Sequence, residues 1–176
     1  MDDDPAERTP SYYLHPSVEL RESPLAGMGL FATAAIRKGT IINIAEDNVV
    51  SLDEINSFTP AQNNFCYQID ARHYICPRDP ENPTADWYTN HSCDPNTGPG
   101  GDQYTMVAIH DIAEGEEITY DYAMTETDAA WSMVCHCGSH NCRGVITGND
   151  WKNKNLQERY APYFIPDILS KIGFVL

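Results

Sequence analysis

Short stretches in which apolar and polar residues alternate, separated by turns rich in glycine and proline, are the main pattern of the first 150 positions. Alternation with a period of two is typical of half-buried strands. It predicts a strand over residues 18–21, and the glycine-punctuated turn 23–32 leads into a second strand. Residues 65–69 and 73–76 alternate on either side of a polar turn and predict a hairpin, and residues 104–109 predict a further strand.

Turn and helix signals complete this picture of the first 150 positions. Two similar segments, residues 36–42 and 112–118, each place a glycine-containing turn before an apolar strand. Residues 53–58 predict a short helix, with Ser51 or Asp53 as its N-cap. Five or six short strands, many turns and little helix predict a mostly β or α+β fold.

The last 26 residues have a different pattern. Residues 152–160 and 167–172 predict two short helices separated by Pro162 and Pro166. The apolar end, residues 172–176, is expected to be buried. We therefore expect this segment to pack against the domain rather than to form another one.

Length and composition predict one domain with tails. The chain has 176 residues, of which 41% are hydrophobic, enough for one good core and too few for two comfortable domains. Residues 1–17 are polar and acidic and predict a loosely ordered leader, although residues 12–14 could dock onto the domain. No apolar run approaches the roughly 20 residues that span a bilayer, and the acidic start differs from a signal peptide. We expect a soluble intracellular protein with no membrane partner; the sequence does not indicate an oligomeric state.

The balance of charge indicates the kind of partner. The formal net charge is −15 and the pI is near 4.5. Direct binding to nucleic acid needs clustered lysine and arginine, and the chain has no run of five basic residues. An acidic surface favours a partner rich in lysine and arginine, although the same charge also serves solubility.

Cysteine spacing provides the first chemical signal. Three of the six cysteines lie within eight residues, as Cys135-x-Cys137-x4-Cys142, a spacing at which thiolates converge on one zinc ion. This usage favours a reducing compartment. A structural zinc site needs a fourth ligand, and the candidates are Cys66, Cys76, Cys93, His136 and His140. The first two candidates flank the predicted hairpin and could face each other, but we expect them to be two small buried hydrophobic residues.

Three further stretches, taken together, indicate a family. Residues 88–96 read Tyr-Thr-Asn-His-Ser-Cys-Asp-Pro-Asn, residues 115–122 read Gly-Glu-Glu-Ile-Thr-Tyr-Asp-Tyr, and the cysteine-rich segment 135–144 follows. Their order and spacing resemble those of SET-domain lysine methyltransferases that carry a zinc-binding post-SET segment. The resemblance covers about residues 18–147.

The resemblance implies a particular architecture. It predicts a SET-domain fold of short curved sheets with a pseudoknot, a zinc-bound post-SET loop and short C-terminal helices. The SET domain would span residues 18–130, the post-SET zinc segment 131–147, and the C-terminal helical extension 148–176. Two features depart from the family: no cysteine-rich pre-SET segment precedes Val18, and residues 77–86 lack the usual Gly-Asn step. The chain therefore resembles a compact stand-alone member.

The resemblance also implies the role of individual residues. Cys93 would be the fourth zinc ligand, beside the three cysteines of the post-SET segment. The residues implied in S-adenosylmethionine binding are the glycine turn and the residues that pair with it: Gly27, Met28, Gly29, Leu30, Asn90, His91 and Tyr122, together with Val145 or Ile146 on the adenine side. Tyr122 would be the catalytic tyrosine, Tyr120 would set the number of methyl groups, and Tyr88 would line the lysine pocket. As i and i+2 residues of a predicted strand, Tyr120 and Tyr122 would share one face.

The expected function is S-adenosylmethionine-dependent N-methylation of lysine in a basic protein or peptide such as a histone tail, with one structural zinc per chain. Two alternatives stay open. The chain could methylate a small-molecule amine or amino acid, or it could be a binding module that keeps the fold without catalysis. The expected location is the nucleus or the cytoplasm.

Overall fold

β-Strands make up most of the regular structure in the computed structural model, which describes residues 12–45 and 48–174. Most strands are short, because glycine, proline and acidic turns interrupt the chain every few residues. In chain order the strands are β1 (Tyr13–Leu14), β2 (Val18–Glu22), β3 (Met28–Ala32), β4 (Ile41–Ile44), β5 (Val49–Ser51), β6 (Tyr67–Gln68), β7 (His73–Ile75), β8 (Asn90–His91), β9 (Thr97–Pro99), β10 (Thr105–Ala108), β11 (Glu117–Tyr120), β12 (Ser132–Val134) and β13 (Val145–Thr147).

These strands form three sheets. The large sheet has the order β1-β4-β10-β9-β11-β3-β2, with β8 paired to β11. A three-stranded sheet has the order β5-β7-β6, and β12 and β13 form a separate two-stranded ribbon. The predicted hairpin is confirmed, since β6 and β7 pair antiparallel with Tyr67 opposite Ile75. The predicted mostly β fold of short sheets is confirmed as well.

The ordered sheet begins before the predicted boundary at residue 18. Tyr13 and Leu14 form β1 and pair with Ile44 and Asn43 of β4, so these two residues dock onto the domain, as the sequence allowed, and are not part of a loose leader. Pairing with β4 satisfies backbone groups that a free leader would leave to water. Residues 1–11, the rest of the predicted leader, lie outside the described residues.

The two similar turns predicted from the sequence meet in space. Ile36 and Ile112 form an antiparallel bridge, and both side chains are buried in the same core cluster. Each turn contains a glycine with positive φ, +85° at Gly39 and +82° at Gly115. Glycine adopts this left-handed backbone without the steric cost that other residues would incur.

The helices are short. They are α1 (Leu52–Ile55), α2 (Pro60–Asn63), α3 (Lys154–Tyr160) and α4 (Pro166–Ile172), with 3₁₀ helices at Ala85–Trp87, Tyr122–Met124 and Asp150–Lys152. Ser51 is the N-cap of α1, as predicted, in a capping box with Glu54. Helix α2 was not predicted, although Thr59 and Gln62 form a second capping box and a proline occupies the first helical position.

The C-terminal prediction needs three corrections. Asn153 interrupts the helix predicted over 152–160 and caps α3. Pro166 begins α4 instead of separating two helices, because proline is well suited to the first helical position. Phe174 is 38% exposed, so the expectation that the end of the chain is buried is wrong at this residue; Val175 and Leu176 lie outside the described residues.

Two large hydrophobic clusters form the core around the large sheet and the C-terminal helices. One lies against the large sheet and includes Leu30, Ile42 and Ile118. The other joins α3 and α4 to the 3₁₀ helix that follows β11, with Met124, Phe164 and Ile168 all inaccessible to solvent. The backbone N–H of Ile165 also donates to the carbonyl of Met124, at 3.0 Å. The C-terminal helices thus pack behind the segment that follows β11.

Cys66 and Cys76 are joined by a disulfide, so the expectation of two small buried hydrophobic residues is wrong. The bond links the segment after α2 to the end of β7, because the antiparallel pairing of β6 with β7 brings the two ends of the hairpin together.

None of the helices within the described residues has the length and apolar character needed to cross a bilayer.

Candidate functional site

The motifs at 88–96 and 115–122 lie side by side in the large sheet. β8 runs parallel to β11, with Asn90 opposite Thr119 and His91 opposite Tyr120. The backbone N–H of Ser92 extends this pairing with a hydrogen bond to the carbonyl of Tyr120, at 3.1 Å. A two-residue strand is therefore enough to bring an asparagine, a histidine and two tyrosines together.

The glycine turn is held against β8 and β11 by side-chain hydrogen bonds. The amide nitrogen of Asn90 donates to the carbonyls of Ala26 and Met28, at 3.2 and 3.0 Å, and to Oε1 of Glu117, at 2.8 Å. A Cβ at Gly29 would overlap the Glu117 carboxylate and lie 2.9 Å from the Asn90 amide. Glycine at this position therefore permits the close approach of the turn to Asn90.

Tyr120 and Tyr122 are close, but for a different reason from the one predicted. β11 ends at Tyr120, and Tyr122 begins a 3₁₀ helix, so the two do not share the face of one strand. The turn between them still brings their ring centroids to 4.8 Å, and the ring of Trp131 lies 6.2 Å from that of Tyr122. Burial raises the pKa of Tyr122 to about 12. Its hydroxyl is therefore protonated at neutral pH and donates to the carbonyl of Thr89, at 3.3 Å.

Tyr88 packs edge-on against Phe65, with ring centroids 5.1 Å apart. It follows the 3₁₀ helix Ala85–Trp87 and precedes β8 by two residues. This contact connects the segment before β8 to the end of α2. The place of Tyr88 in a lysine pocket stays a prediction.

Four cysteines form a compact cluster. The sulfur atoms of Cys93, Cys135, Cys137 and Cys142 all lie within 4.8 Å of one another. The separation is 3.8 Å for Cys93 and Cys135 and 3.7 Å for Cys135 and Cys142. A tetrahedral zinc site with Zn–S bonds of about 2.3 Å requires sulfur atoms about 3.8 Å apart, so this donor set fits a structural zinc ion.

The other candidates for the fourth ligand are placed elsewhere. Cys66 and Cys76 are bonded to each other, and His136 and His140 are exposed, outside the group of sulfur atoms that could hold a metal. The identity of the metal and its ligand set remain proposals that this geometry supports.

Hydrogen-bond donors surround the sulfur atoms. Cys137 lies near the hydroxyl of Ser139, at 3.3 Å, and near the backbone N–H of Cys93, at 3.5 Å. Burial opposes ionisation of Cys137, but these donors outweigh it and lower its pKa to about 6. In Cys93, burial dominates and raises the pKa well above its ordinary value, although the Arg143 N–H opposes this shift. A buried thiol of this kind becomes a thiolate when a cation compensates its charge, as a metal ion would.

His91 lies between the cysteine cluster and the tyrosines. Its ring is 2% exposed, with centroid 5.1 Å from that of Tyr122 in an edge-on arrangement. Burial lowers its pKa to about 4, an effect that the charge of Asp121 opposes and that of Arg143 strengthens. The imidazole is therefore neutral at physiological pH.

A buried ion pair joins the cysteine-rich loop to the tyrosine motif. Arg143 donates two hydrogen bonds to Asp121, at 2.6 and 2.7 Å, and its Nε lies 2.8 Å from the Asp150 carboxylate. The Asp121 side chain is fully buried. Burial alone would lower the pKa of Arg143, but these carboxylates raise it above its ordinary value. The arginine thus stays charged and bridges two acids.

The remaining predicted residues divide into exposed and buried ones. Met28 and Val145 are 36% and 54% exposed, so their side chains are accessible to a ligand. Leu30 is fully buried in the core, so its side chain is not accessible to a cofactor and only its backbone could make such a contact. Ile146 packs with Cys93 and Cys135 in the cysteine cluster, which leaves Val145 as the accessible member of the pair considered for the adenine side.

Sequence reasoning missed several residues of the site. Asp121 lies between the two motif tyrosines, and Arg143 directly follows Cys142. The presence of an acidic residue in one motif and a basic residue in the other could have suggested an ion pair. Glu117 also lies inside a recognised motif, but its contact with Asn90 depends on strand pairing that local patterns do not show. Trp131 is preceded by no motif that would have indicated it.

Comparisons with known proteins agree with these motifs. The family model of the SET domain matches residues 27–123. Histone-lysine N-methyltransferase 2D of Homo sapiens is 30% identical over 138 residues, which are 72% of this chain and 2% of that protein. Histone-lysine N-methyltransferase ash1 of Drosophila melanogaster is 29% identical over 153 residues, 80% of this chain and 7% of that protein. The chain thus spans a small part of the length of both relatives.

A solved structure with a similar fold is that of KRYPTONITE in complex with mCHG DNA and SAH. The TM-score is 0.60 at 21% sequence identity, over 75% of this chain and 29% of that chain. At this identity the likeness supports the fold alone.

Proposed function

Because this chain belongs to the SET-domain family, we propose that it is an S-adenosylmethionine-dependent protein-lysine N-methyltransferase with one structural zinc. Relatives that match most of the chain are named histone-lysine N-methyltransferases, which supports lysine methylation. The observation that supports the proposal most is the parallel pairing of β8 with β11, which brings Asn90 and His91 beside the tyrosine motif.

The residues that would hold the cofactor combine polar backbone with accessible apolar side chains. The turn of residues 27–30 and the Asn90 amide suit the methionine end, and the exposed side chain of Val145 suits the adenine side. The amide nitrogen of Asn90 is already bonded to the turn and to Glu117. If the Asn90 side chain contacts the cofactor, the contact would therefore be made by its amide oxygen.

The bound cofactor would supply an electrophilic methyl group, and the protein residues would orient the reacting groups and exclude water. The lysine amine has to lose its proton, because it attacks with its lone pair and its ordinary pKa is near 10.4. The rings of Tyr120 and Trp131 lie beside that of Tyr122, and a lysine-binding channel beside them would disfavour the charged amine through desolvation. The protonated Tyr122 hydroxyl then orients the reacting groups as a hydrogen-bonding group, not as a base.

The proposed substrate is a basic protein or peptide such as a histone tail. The net charge of −15 favours association with a chain rich in lysine and arginine, without direct binding to nucleic acid. We propose the nucleus or cytoplasm as its location. We also propose that residues 18–130 form the SET domain, 131–147 the post-SET segment and 148–176 a helical extension that supports them.

The test is mass spectrometry of a lysine-rich protein mixture after incubation with the protein and labelled S-adenosylmethionine. We expect methyl-lysine in the mixture, and a loss of turnover of about a hundredfold or more in Tyr122→Phe with nearly normal cofactor affinity. Tyr13→Phe, which alters an exposed tyrosine of β1, is the matched control and should keep full turnover.

Raising the salt from low to physiological concentration should raise the KM for a peptide while changing cofactor binding much less. Methylation of small amines with no methylation of the protein mixture, or equal turnover in Tyr122→Phe, would contradict the proposal.

A further inference from the structure

His91 makes two polar contacts through its ring, one to each half of the site. The backbone N–H of Tyr122 lies 3.2 Å from Nδ1, and Nε2 lies 3.3 Å from Sγ of Cys93. The ring is almost fully buried. Neither contact therefore competes with bulk water.

The direction of both contacts follows from the chemistry of the donors. A backbone N–H can only donate, so Nδ1 is the acceptor and the neutral ring carries its proton on Nε2. The other tautomer would direct a second N–H at that of Tyr122, and Oδ1 of Asp121 lies 3.8 Å from Nδ1, too far for a compensating hydrogen bond. The Nε2–H therefore donates to the sulfur of Cys93.

Cys93 is well placed to accept this hydrogen bond. Its sulfur lies 3.8 Å from that of Cys135, and it also accepts from the backbone N–H of Arg143, at 3.4 Å. A thiolate that binds a metal keeps lone pairs for such donors, and contacts of this kind orient the ligand and adjust metal affinity.

The Nδ1 atom of His91 contacts Tyr122 at a change in backbone conformation. Tyr122 is the residue at which the backbone leaves the turn after β11 and enters a 3₁₀ helix. The His91 ring contacts the Tyr122 ring as well as its N–H. Movement of the imidazole would therefore displace both the backbone and the side chain of the tyrosine.

We infer that His91 is a positioning residue that couples the four-cysteine cluster to Tyr122, holding the metal-binding sulfur through Nε2 and the tyrosine through Nδ1. The catalytic consequence rests on the proposed function; the coupling itself does not. Because both ring nitrogens are used within the protein, any contact between His91 and the cofactor falls to its backbone.

Two substitutions separate the two contacts. Asparagine at position 91 places an amide oxygen near the position of Nδ1, so His91→Asn keeps the acceptor for Tyr122 and loses the donor to Cys93. Glutamine places an amide nitrogen near the position of Nε2, so His91→Gln does the reverse. His140→Asn changes an exposed ring in the same cysteine-rich loop and is the matched control.

The first readout is metal binding, measured with Co²⁺ against a competing chelator and by the thiolate-to-cobalt absorption band. We expect His91→Asn to weaken metal binding about tenfold or more and to shift the band, as losing an outer-shell contact does. His91→Gln and His140→Asn should resemble the unsubstituted protein. This readout needs no methyl transfer, so it tests the coupling even if the proposed function fails. Identical cobalt affinity and absorption in all four proteins would overturn the inference.

The second readout is turnover. His91→Gln, which loses the acceptor for Tyr122, should lose about tenfold or more in kcat, with KM for S-adenosylmethionine within about threefold of normal, because this contact positions Tyr122 rather than binds the cofactor. His91→Asn, which keeps that acceptor, should lose less kcat when the metal site is saturated. His140→Asn should keep full kcat. A rise in KM with unchanged kcat would overturn the positioning role and indicate cofactor contact instead.

Should both His91 variants fail to fold, NMR of the unsubstituted protein decides. Long-range proton–nitrogen spectra should show the Nε2-protonated tautomer, and the Nε2–H resonance should shift when Cd²⁺ replaces Zn²⁺. A ring protonated on Nδ1, or a resonance indifferent to the metal, would overturn the inference.

Discussion

Replacing Arg143 with methionine should destabilise the protein far more than its position after the last cysteine of the cysteine-rich loop suggests. Arg143 makes two hydrogen bonds to Asp121, whose side chain has no exposed surface. Its own side chain is 16% exposed, and it also contacts Asp150 at 2.8 Å. Methionine fills similar volume but leaves the Asp121 carboxylate buried without a counter-charge.

Removing one partner of a buried pair typically costs about 3–5 kcal/mol of the free energy of unfolding. The matched control is the pair of Arg159 and Asp94, which lies on the surface with side chains 45% and 51% exposed and 3.8 Å apart. An exposed pair of this kind contributes about 0–1 kcal/mol. Arg159→Met should therefore be nearly neutral.

A double variant separates the loss of the pair from the cost of the buried charge. Asp121→Asn removes the charge and keeps an oxygen that can accept from the Ala123 N–H, which Asp121 caps at 3.0 Å. In the Arg143→Met background this change should recover part of the lost stability, with a coupling energy of about 2 kcal/mol or more.

The assay is urea unfolding at a fixed, buffered free zinc concentration, because a metal ion bound by the four cysteines would add to the stability of the folded state. Equal losses in Arg143→Met and Arg159→Met, or strictly additive effects of the two substitutions at the buried pair, would refute the reasoning.

Three further substitutions test other parts of the structure. Gly29→Ala should weaken S-adenosylhomocysteine binding about tenfold or more in calorimetry, because the added methyl group overlaps Glu117 and displaces the Asn90 amide; unchanged affinity would contradict the role of the close approach. The double change of Cys66 and Cys76 to alanine should lower the free energy of unfolding by about 2.7 kcal/mol, the chain-entropy value for a loop of this size. An equal urea midpoint would contradict this expectation. Tyr120→Phe should shift products from monomethyl-lysine toward di- and trimethyl-lysine, because it removes one polar atom from the proposed lysine pocket. Intact-mass time courses measure the product distribution. An unchanged distribution would show that Tyr120 does not set the methyl count.

Sequence patterns correctly predicted the features that residues close together in the chain determine. The hairpin around residue 71, the Ser51 cap and the two glycine turns all follow from residues close together in the sequence. The cysteine spacing likewise predicted three members of the sulfur cluster, and the family resemblance supplied Cys93 as the fourth.

The errors arose where distant segments meet. Tyr13 joins the sheet because β4, nearly thirty residues later, has an open edge for it. The bond between Cys66 and Cys76 depends on how the hairpin closes, and the place of Arg143 depends on the approach of a loop to β11. The partners of Tyr13 and Arg143 lie outside the window over which period and capping act. The two cysteines lie within it and flank a hairpin that was predicted, so the error there was to expect two free thiols instead of a bond.

The position of Cys93 far from the other three sulfur atoms has a consequence for the order of assembly during synthesis. Its nearest partner in the sequence is 42 residues away, so the strands around β8 and β11 emerge from the ribosome before the four sulfur atoms can come together. In a zinc finger the metal organises a short loop from the start, whereas here it would join two segments that have already folded or are folding. A shortage of zinc would then stop maturation at a late stage, with the sheet formed and the Tyr122 side of the site unfinished.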